Sequence, residues 1–177
     1  PFAGSVSQGT SSTMLLPVAS WKTDYVVTSP WEIRFFEGTY LYPTTHVVAA
    51  EDDTEVTLVG SVHVQGGTDV ESATKGVAKT YRLNRGEHIQ FFQEHDLTGS
   101  RIGSTKPIGV WTGHQAMAIP TTHTCCGDTS QTALFPLQSW GHEYAVVPYR
   151  SRRAKEAPED YLFRVTGAVD GTVLSYE

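Results

Sequence analysis

Two stretches of this chain have nearly the same sequence, and they decide how the rest is interpreted. Residues 15–27 read LLPVASWKTDYVV, and residues 134–147 read LFPLQSWGHEYAVV. In each stretch a Pro lies four residues before a Trp, and a Tyr that opens an apolar run lies four residues after it. Trp140 follows Trp21 by 119 residues.

A second pair of segments matches further along. Residues 47–58 and 163–174 each have an apolar run, a turn containing Asp and a second run, and Val173 follows Val56 by 117 residues. Two blocks in the same order at nearly one spacing predict an internal repeat of about 120 residues, longer than the period of solenoids and propellers. The second copy is incomplete, so we expect a chain cut from a longer one.

The repeat predicts three regions. Residues 1–13 are rich in Ser, Gly and Thr, which is typical of a flexible lead-in. Residues 14–133 form the first repeat, and residues 134–177 form the start of the second, which we expect to pack on the first.

Composition excludes several classes of protein. Apolar residues make up 39% of the 177 residues and charged residues 18%, as in ordinary folded proteins. The net charge of −6 argues against a nucleic-acid binder, which needs a basic face. No apolar stretch approaches the roughly 20 residues of a membrane span.

The pattern of short runs predicts an all-β protein. No window of about ten residues has helical periodicity. Short strands between Gly and Pro turns indicate a sandwich or a barrel, and of these we predict an antiparallel β-sandwich. We expect one hairpin from residues 45–50 and 55–59 around the acidic turn 51–54, and another from residues 78–83 and 87–92 around Asn84-Arg85-Gly86.

The remaining segments are less regular. We expect a broken strand or packed loop over residues 31–42, a strand at 101–104 that ends at Lys106-Pro107, and a strand at 108–114. Residues 116–132 are expected to form a loop, and residues 161–168 and 172–176 a last hairpin.

Two groups of aromatic residues are assigned roles. Core anchors are expected at Trp21, Tyr25, Trp111, Trp140 and Tyr144, beside β-branched runs. An exposed platform for a ligand such as a sugar is the alternative use of aromatic side chains, and its candidates are Trp31, Phe35, Phe36, Tyr40 and Tyr42.

The two cysteines, Cys125 and Cys126, are adjacent, unlike the spaced ligands of a zinc site. A vicinal disulfide, pairing with other chains and free thiols all remain open. A zinc site of His114, His123, Cys125 and Cys126 is the less favoured alternative, and a calcium site at Glu51, Asp52 and Asp53 is less favoured than a plain turn. We therefore predict no metal and no cofactor.

Catalytic motifs are not found. The sequence contains no Gly-x-Ser-x-Gly elbow and no phosphate-binding loop. We therefore do not expect an enzyme, although a hydrolase stays open as a third hypothesis.

Several strings together resemble the N-terminal domain family named after the IgG Fc-binding protein. They are residues 50–57 (AEDDTEVT), 83–86 (LNRG), 96–102 (DLTGSRI), 104–110 (STKPIGV), 112–115 (TGHQ) and 134–144 (LFPLQSWGHEY). The resemblance covers roughly residues 14–177.

The resemblance implies a β-rich extracellular module of a large secreted or surface protein. The family often has a Cys shortly after the Gly-His pair, where this chain has Ala116 and Met117; Cys125 and Cys126 lie near the family's second position. We expect a non-catalytic structural or adhesive module in a repeated array, at the cell surface or secreted. Its partners would be neighbouring modules or other subunits, with glycan binding as the alternative.

Overall fold

The computed structural model describes residues 2–3, 11–119, 127–148, 150 and 161–176. Its regular elements are strands and two short 3-10 turns, and all strand pairs are antiparallel. This confirms the all-β, antiparallel class. In the part of the chain described, no helix is long and apolar enough to cross a membrane.

The described residues contain eleven strands in two small sheets and one large sheet. Strands β1 and β2 form one small sheet, β4 and β5 form the other, and the remaining seven strands form the large one. The strands are β1 (Phe2–Ala3), β2 (Ser11–Ser12), β3 (Lys22–Val26), β4 (Arg34–Phe36), β5 (Thr39–Leu41), β6 (Pro43–Ala49), β7 (Thr54–Val59), β8 (Ala78–Leu83), β9 (His88–Phe92), β10 (Arg101–Met117) and β11 (Asp128–Ala133). The 3-10 turns are Val18–Ser20 and Leu137–Ser139.

Strand β10 is the centre of the large sheet, because four other strands pair with it. Its first half pairs with β3 and β7, and its second half pairs with β6 and β11. Outside these, β8 pairs with β7, and β9 pairs with β6.

The expected hairpin between β6 and β7 is wrong. Arg101 pairs with both β3 and β7, and Ile108 pairs with both β3 and β6. A backbone residue can pair with one strand on each side, so β6 and β7 lie end to end along the same edge of β10. The acidic segment between them is a corner in one long edge, at which the sheet curls, and not the tip of a hairpin.

The break expected at Pro107 is also wrong, since β10 continues through it. The register of β10 against β3 shifts between Gly103 and Ile108. Proline has no backbone N–H to give to a ladder, and strands tolerate it where the pairing is interrupted. Pro107 lies within that interruption.

Residues 31–42 contain the β4–β5 hairpin, two short strands joined by a turn, which agrees with the expected broken strand. The expected loop over residues 116–132 is partly strand, because it contains the end of β10 and most of β11. Residues 120–126 of that loop, with Cys125, Cys126 and His123, lie outside the described residues. The 78–83 and 87–92 hairpin is wrong as a pair, because β8 pairs with β7 and β9 with β6.

Strands from both halves of the sheet contribute to one hydrophobic core. Strands β6, β7 and β9 bury alternate side chains, because successive residues of a strand point to opposite faces. The buried residues of these strands and of β3 and β10 include Tyr25, Val47, Ala49, Val56, Leu58, Ile89, Phe91, Ile102, Ile108 and Val110.

The two matching sequence stretches have the same local hydrogen bonds. In the first, the N–H of Ser20 donates to the carbonyl of Pro17 and the indole of Trp21 donates to that of Leu16. In the second, Ser139 donates to Pro136 and the indole of Trp140 to Phe135. The φ angles of the two prolines are both −63°.

The hydrogen bond that closes the corner before β7 has an equivalent later in the chain. The hydroxyl of Thr54 donates to the carbonyl of Glu51, and that of Thr172 donates to the carbonyl of Val169, each at 2.7 Å. However, no described strand includes residues 161–176, so the last hairpin has its turn without a strand ladder.

Candidate functional site

The β4–β5 hairpin carries three of the exposed aromatic side chains. Its turn consists of Glu37 and Gly38, with φ angles of 50° and 81°. Two positive φ angles are typical of the type I′ turn, whose twist matches that of the strands it connects. Phe35 and Tyr40 are opposite each other across the two strands.

Contacts with β10 hold this hairpin in place. The buried guanidinium of Arg34 donates to the carbonyl of Ala116 at 3.3 Å. The backbone N–H of Tyr42 donates to the side-chain oxygen of Gln115, and the N–H of Gln115 donates back to the carbonyl of Tyr42. The aromatic side chains are therefore presented by a fixed backbone.

Four rings form a continuous row, which we call the aromatic ridge: Phe35, Tyr40, Tyr42 and Phe92. Successive ring centroids are 4.8, 6.3 and 5.0 Å apart. Phe35, Tyr40 and Phe92 are exposed to solvent, and Tyr42 is half-buried between its neighbours. Adjacent rings are inclined by 35° to 55°, so the row is an uneven ridge and not a flat plate.

Sequence reasoning missed Phe92. It lies in β9, about 50 residues after Tyr42, and it reaches the ridge because it pairs with Thr44 of β6. The signal was its position in the alternation of β9, where Phe91 is buried and Phe92 faces outwards.

The other two expected platform residues lie elsewhere. Phe36 packs under the guanidinium of Arg34, whose carbon is 4.4 Å from the ring centroid. Trp31 lines a separate pocket of about 300 Å³ together with Glu32, Asp96 and residues 162–164. The buried indole nitrogen of Trp31 has no hydrogen-bond partner among the described residues.

Arg164, which lines this pocket, makes hydrogen bonds to two other residues. Its guanidinium donates to the carbonyl of Ser29 at 2.7 Å and to the carboxylate of Asp96 at 3.1 Å. Thr28 donates to Thr166 beside it at 2.8 Å. These bonds attach residues 161–167 to residues 28–29 and to Asp96.

His114 is held by the backbone on both sides of its ring. Its Nδ1 accepts the N–H of Ala116 at 3.1 Å, so Nε2 carries the proton and donates to the carbonyl of Glu32 at 2.8 Å. Burial is the main cause that lowers the pKa of His114, and the nearby charge of Arg34 adds to it, although the bond to Glu32 opposes them. A ring with both nitrogens engaged has none to give to zinc.

The acidic corner is occupied by protein contacts. A carboxylate oxygen of Asp52 accepts the N–H of Arg85, and the carbonyl of Asp52 accepts the ammonium group of Lys106. Among the described residues, no cluster of three or more His, Cys, Asp or Glu side chains could hold a metal ion.

The five expected core anchors have different surroundings. Tyr25 is buried in the core, and Trp21 and Trp111 meet edge to face with ring centroids 5.5 Å apart. Trp140 is half-buried, and Tyr144 is exposed.

One of the comparisons with known proteins identifies a family. Residues 11–177 match the sequence profile of the family described as IgG Fc binding protein, a family of extracellular binding domains. No curated protein and no solved structure matches the chain significantly. The profile covers nearly the whole sequence, so the chain belongs to the IgG Fc-binding protein family.

Proposed function

We propose that this chain is a non-catalytic adhesive module that binds another protein through the aromatic ridge. The observation that carries the proposal is the row of four contacting rings on a hairpin fixed to β10. Rigid aromatic side chains that are exposed together are typical of the energetically dominant positions in protein interfaces.

The inclination of the rings favours a protein partner. A sugar ring stacks best on an aromatic face that is open and flat, whereas rings inclined by 35° to 55° fit the irregular side chains of a protein surface. A glycan is the second candidate, which the exposure of Phe35 and Tyr40 supports.

We further infer that the chain is part of a repeated array of β-sandwiches on a larger surface or secreted protein. The matched turns at Trp21 and Trp140 and the matched threonine bonds at Thr54 and Thr172 support a repeat. The proposed first unit is residues 14–133, and residues 134–177 begin the second. Neighbouring modules of the same chain or other subunits are its proposed partners.

Binding to immobilised proteins tests the ridge. The probes are the Fc fragment of immunoglobulin G, which the family description names, a set of extracellular matrix proteins, and an array of mucin-type glycans. The double variant Phe35→Ala/Tyr40→Ala should lose at least about tenfold in affinity for the protein that binds. Phe135→Ala, which truncates an exposed ring outside the ridge, is the matched control.

Four results would decide between the candidates. Loss of protein binding in the double variant alone supports the proposal. Equal binding by the parent and the double variant contradicts a role for the ridge, and the absence of binding to every protein and every glycan contradicts both candidates. Binding to glycans alone, lost in the double variant, favours the second candidate.

A further inference from the structure

The turn bonds allow the two copies to be matched residue by residue. Thr172 matches Thr54, so residues of the later segment follow their counterparts by 118, and Leu174 and not Val173 is the counterpart of Val56. The left-handed φ angles of Asp53 and Gly171, 50° and 75°, agree with this alignment. In the earlier block Tyr144 matches Tyr25 by the 119-residue spacing.

Matched residues differ in burial but not in apolar character. Each of five core side chains in the first copy is no more than 2% exposed, and each counterpart in the second is 55% to 89% exposed. The pairs are Tyr25 and Tyr144, Val27 and Val146, Val47 and Val165, Val56 and Leu174, and Leu58 and Tyr176. We call the five exposed residues the acceptor face.

In the first copy, the strand that covers these positions is β10. It pairs with β3, β6 and β7, the three strands on which or beside which the five core side chains lie. It contributes Ile102, Ile108 and Val110 to the same core. No described residue takes the place of β10 against the second copy.

The tyrosine hydroxyls show this difference most clearly. The hydroxyl of Tyr25 accepts from the N–H of Lys22 and donates to the carbonyl of Ile108 in β10 at 2.7 Å. The hydroxyl of Tyr144 accepts from the N–H of Gly141 at 2.8 Å, the equivalent local bond. Among the described residues it has no acceptor, so the bond to a β10-type carbonyl is the one that is unmade.

We propose that the acceptor face binds a β10-type strand supplied by another module of the same kind. Such a strand is an extended segment with branched aliphatic side chains at the positions of Ile102, Ile108 and Val110 and a backbone carbonyl for Tyr144. Addition of a strand would pair open backbone groups and bury the apolar side chains together. This proposal rests on the repeat in the proposed function.

Residues 138–148 and 161–176, which include the acceptor face, are held in place by contacts that leave this face free. Bonds from Arg164 to Ser29 and Asp96, from Thr28 to Thr166, and from Gln138 to Asp24 hold them against the first repeat. None of these contacts uses a residue of the acceptor face. The acceptor face is therefore held in a fixed position while its side chains stay exposed to solvent.

A peptide with the sequence of this chain's own residues 99–118 is the probe, because it is the one β10-type strand known. Hydrogen–deuterium exchange of the whole chain is measured with and without it. Amides of residues 144–147 and 163–176 should exchange at least about tenfold more slowly at saturating peptide. The same peptide with Ile108→Asp should give no protection, and neither should the natural peptide with the Leu174→Asp chain.

A fusion provides the second measurement, since a free strand peptide can be poorly soluble. The peptide is joined after Glu177 by a flexible Gly-Ser linker of about 20 residues. Protection of the same amides in the fusion, and not in its Ile108→Asp version, supports the proposal. Two results overturn it: no protection in the fusion, or equal protection from the Ile108→Asp strand.

Binding through the aromatic ridge distinguishes a failure of this proposal from a failure of the proposed function. Leu174→Asp should leave binding through Phe35 and Tyr40 unchanged. Failure of strand addition with intact ridge binding removes only the inference about the acceptor face. Strand addition without ridge binding removes only the adhesive role of the ridge.

Discussion

The hydroxyl of Tyr25 donates a 2.7 Å hydrogen bond to the carbonyl of Ile108, which lies 83 residues later in the chain. Both residues are buried, and the bond joins β3 to the central strand. Burial is also the main cause that raises the pKa of Tyr25. The bond therefore links a local sequence motif to the part of the fold on which the whole sheet depends.

Removing this hydroxyl should destabilise the protein. Tyr25→Phe leaves the carbonyl of Ile108 without its buried donor, and we expect the free energy of unfolding to fall by about 1–2 kcal/mol in urea denaturation. Tyr144→Phe is the matched control, because its ring is exposed and it should change stability by less than about 0.5 kcal/mol. Equal losses in both variants would contradict the difference between the surroundings of the two tyrosines.

A methyl group at Gly109 should disturb the contact between two tryptophans. A Cβ there would lie 2.6 Å from the ring of Trp111 and 2.7 Å from that of Trp21. Both rings must shift, so we expect Gly109→Ala to cost about 1–3 kcal/mol and to change the tryptophan fluorescence of the folded state. Gly67→Ala, where a Cβ meets nothing within 4 Å, should be close to neutral. Unchanged fluorescence in Gly109→Ala would count against the packing described.

Acid should weaken the fold through His114. Its pKa is lowered in the folded state by burial, so below about pH 6.5 the unfolded chain binds a proton that the folded chain does not. Stability therefore falls as the pH falls, by at most about 1.4 kcal/mol per pH unit for this one group. His114→Gln should reduce the slope measured by urea denaturation between pH 7.5 and 5.

The slope should not vanish in that variant. Burial, assisted by the nearby His88, also lowers the pKa of His46, which contributes in the same direction. A slope that is the same in the His114 variant and the parent would refute the assignment.

Replacing one residue in the turn of the β4–β5 hairpin should stabilise the protein. Glu37 has a φ of 50°, which costs energy for a residue with a long side chain and suits Asn. Glu37→Asn creates an Asn-Gly turn and should raise the free energy of unfolding by about 0.5–1 kcal/mol. Glu32→Asn, a loss of the same charge outside the turn, is the control. A decrease in the melting temperature of Glu37→Asn alone would contradict the turn geometry.

Arg164 should control how firmly residues 161–167 are held. Arg164→Met removes the bonds to the carbonyl of Ser29 and the carboxylate of Asp96. We expect local opening to become easier by roughly 1–2 kcal/mol, seen as faster limited proteolysis of this segment while the core unfolds as before. Arg82→Met, which breaks an exposed ion pair with Glu55, should not alter the cleavage rate.

The sequence by itself determined the features that depend on neighbouring residues. The fixed φ of Pro17 and Pro136 and the bonds within five residues of them shape both 3-10 turns alike. The all-β class follows from short apolar runs between Gly and Pro, and these local features carry the family resemblance.

Only the tertiary structure decided which segments meet. Strand pairing joins residues far apart in the chain, so neither the end-to-end placement of β6 and β7 nor the path of β10 through Pro107 has a local signal. For the same reason, the sequence did not show that Phe92 belongs to the ridge and that Trp31 lies in a separate pocket. Tyr25 and Tyr144 have equivalent local bonds, and the presence or absence of β10 against each decides which is core and which is surface.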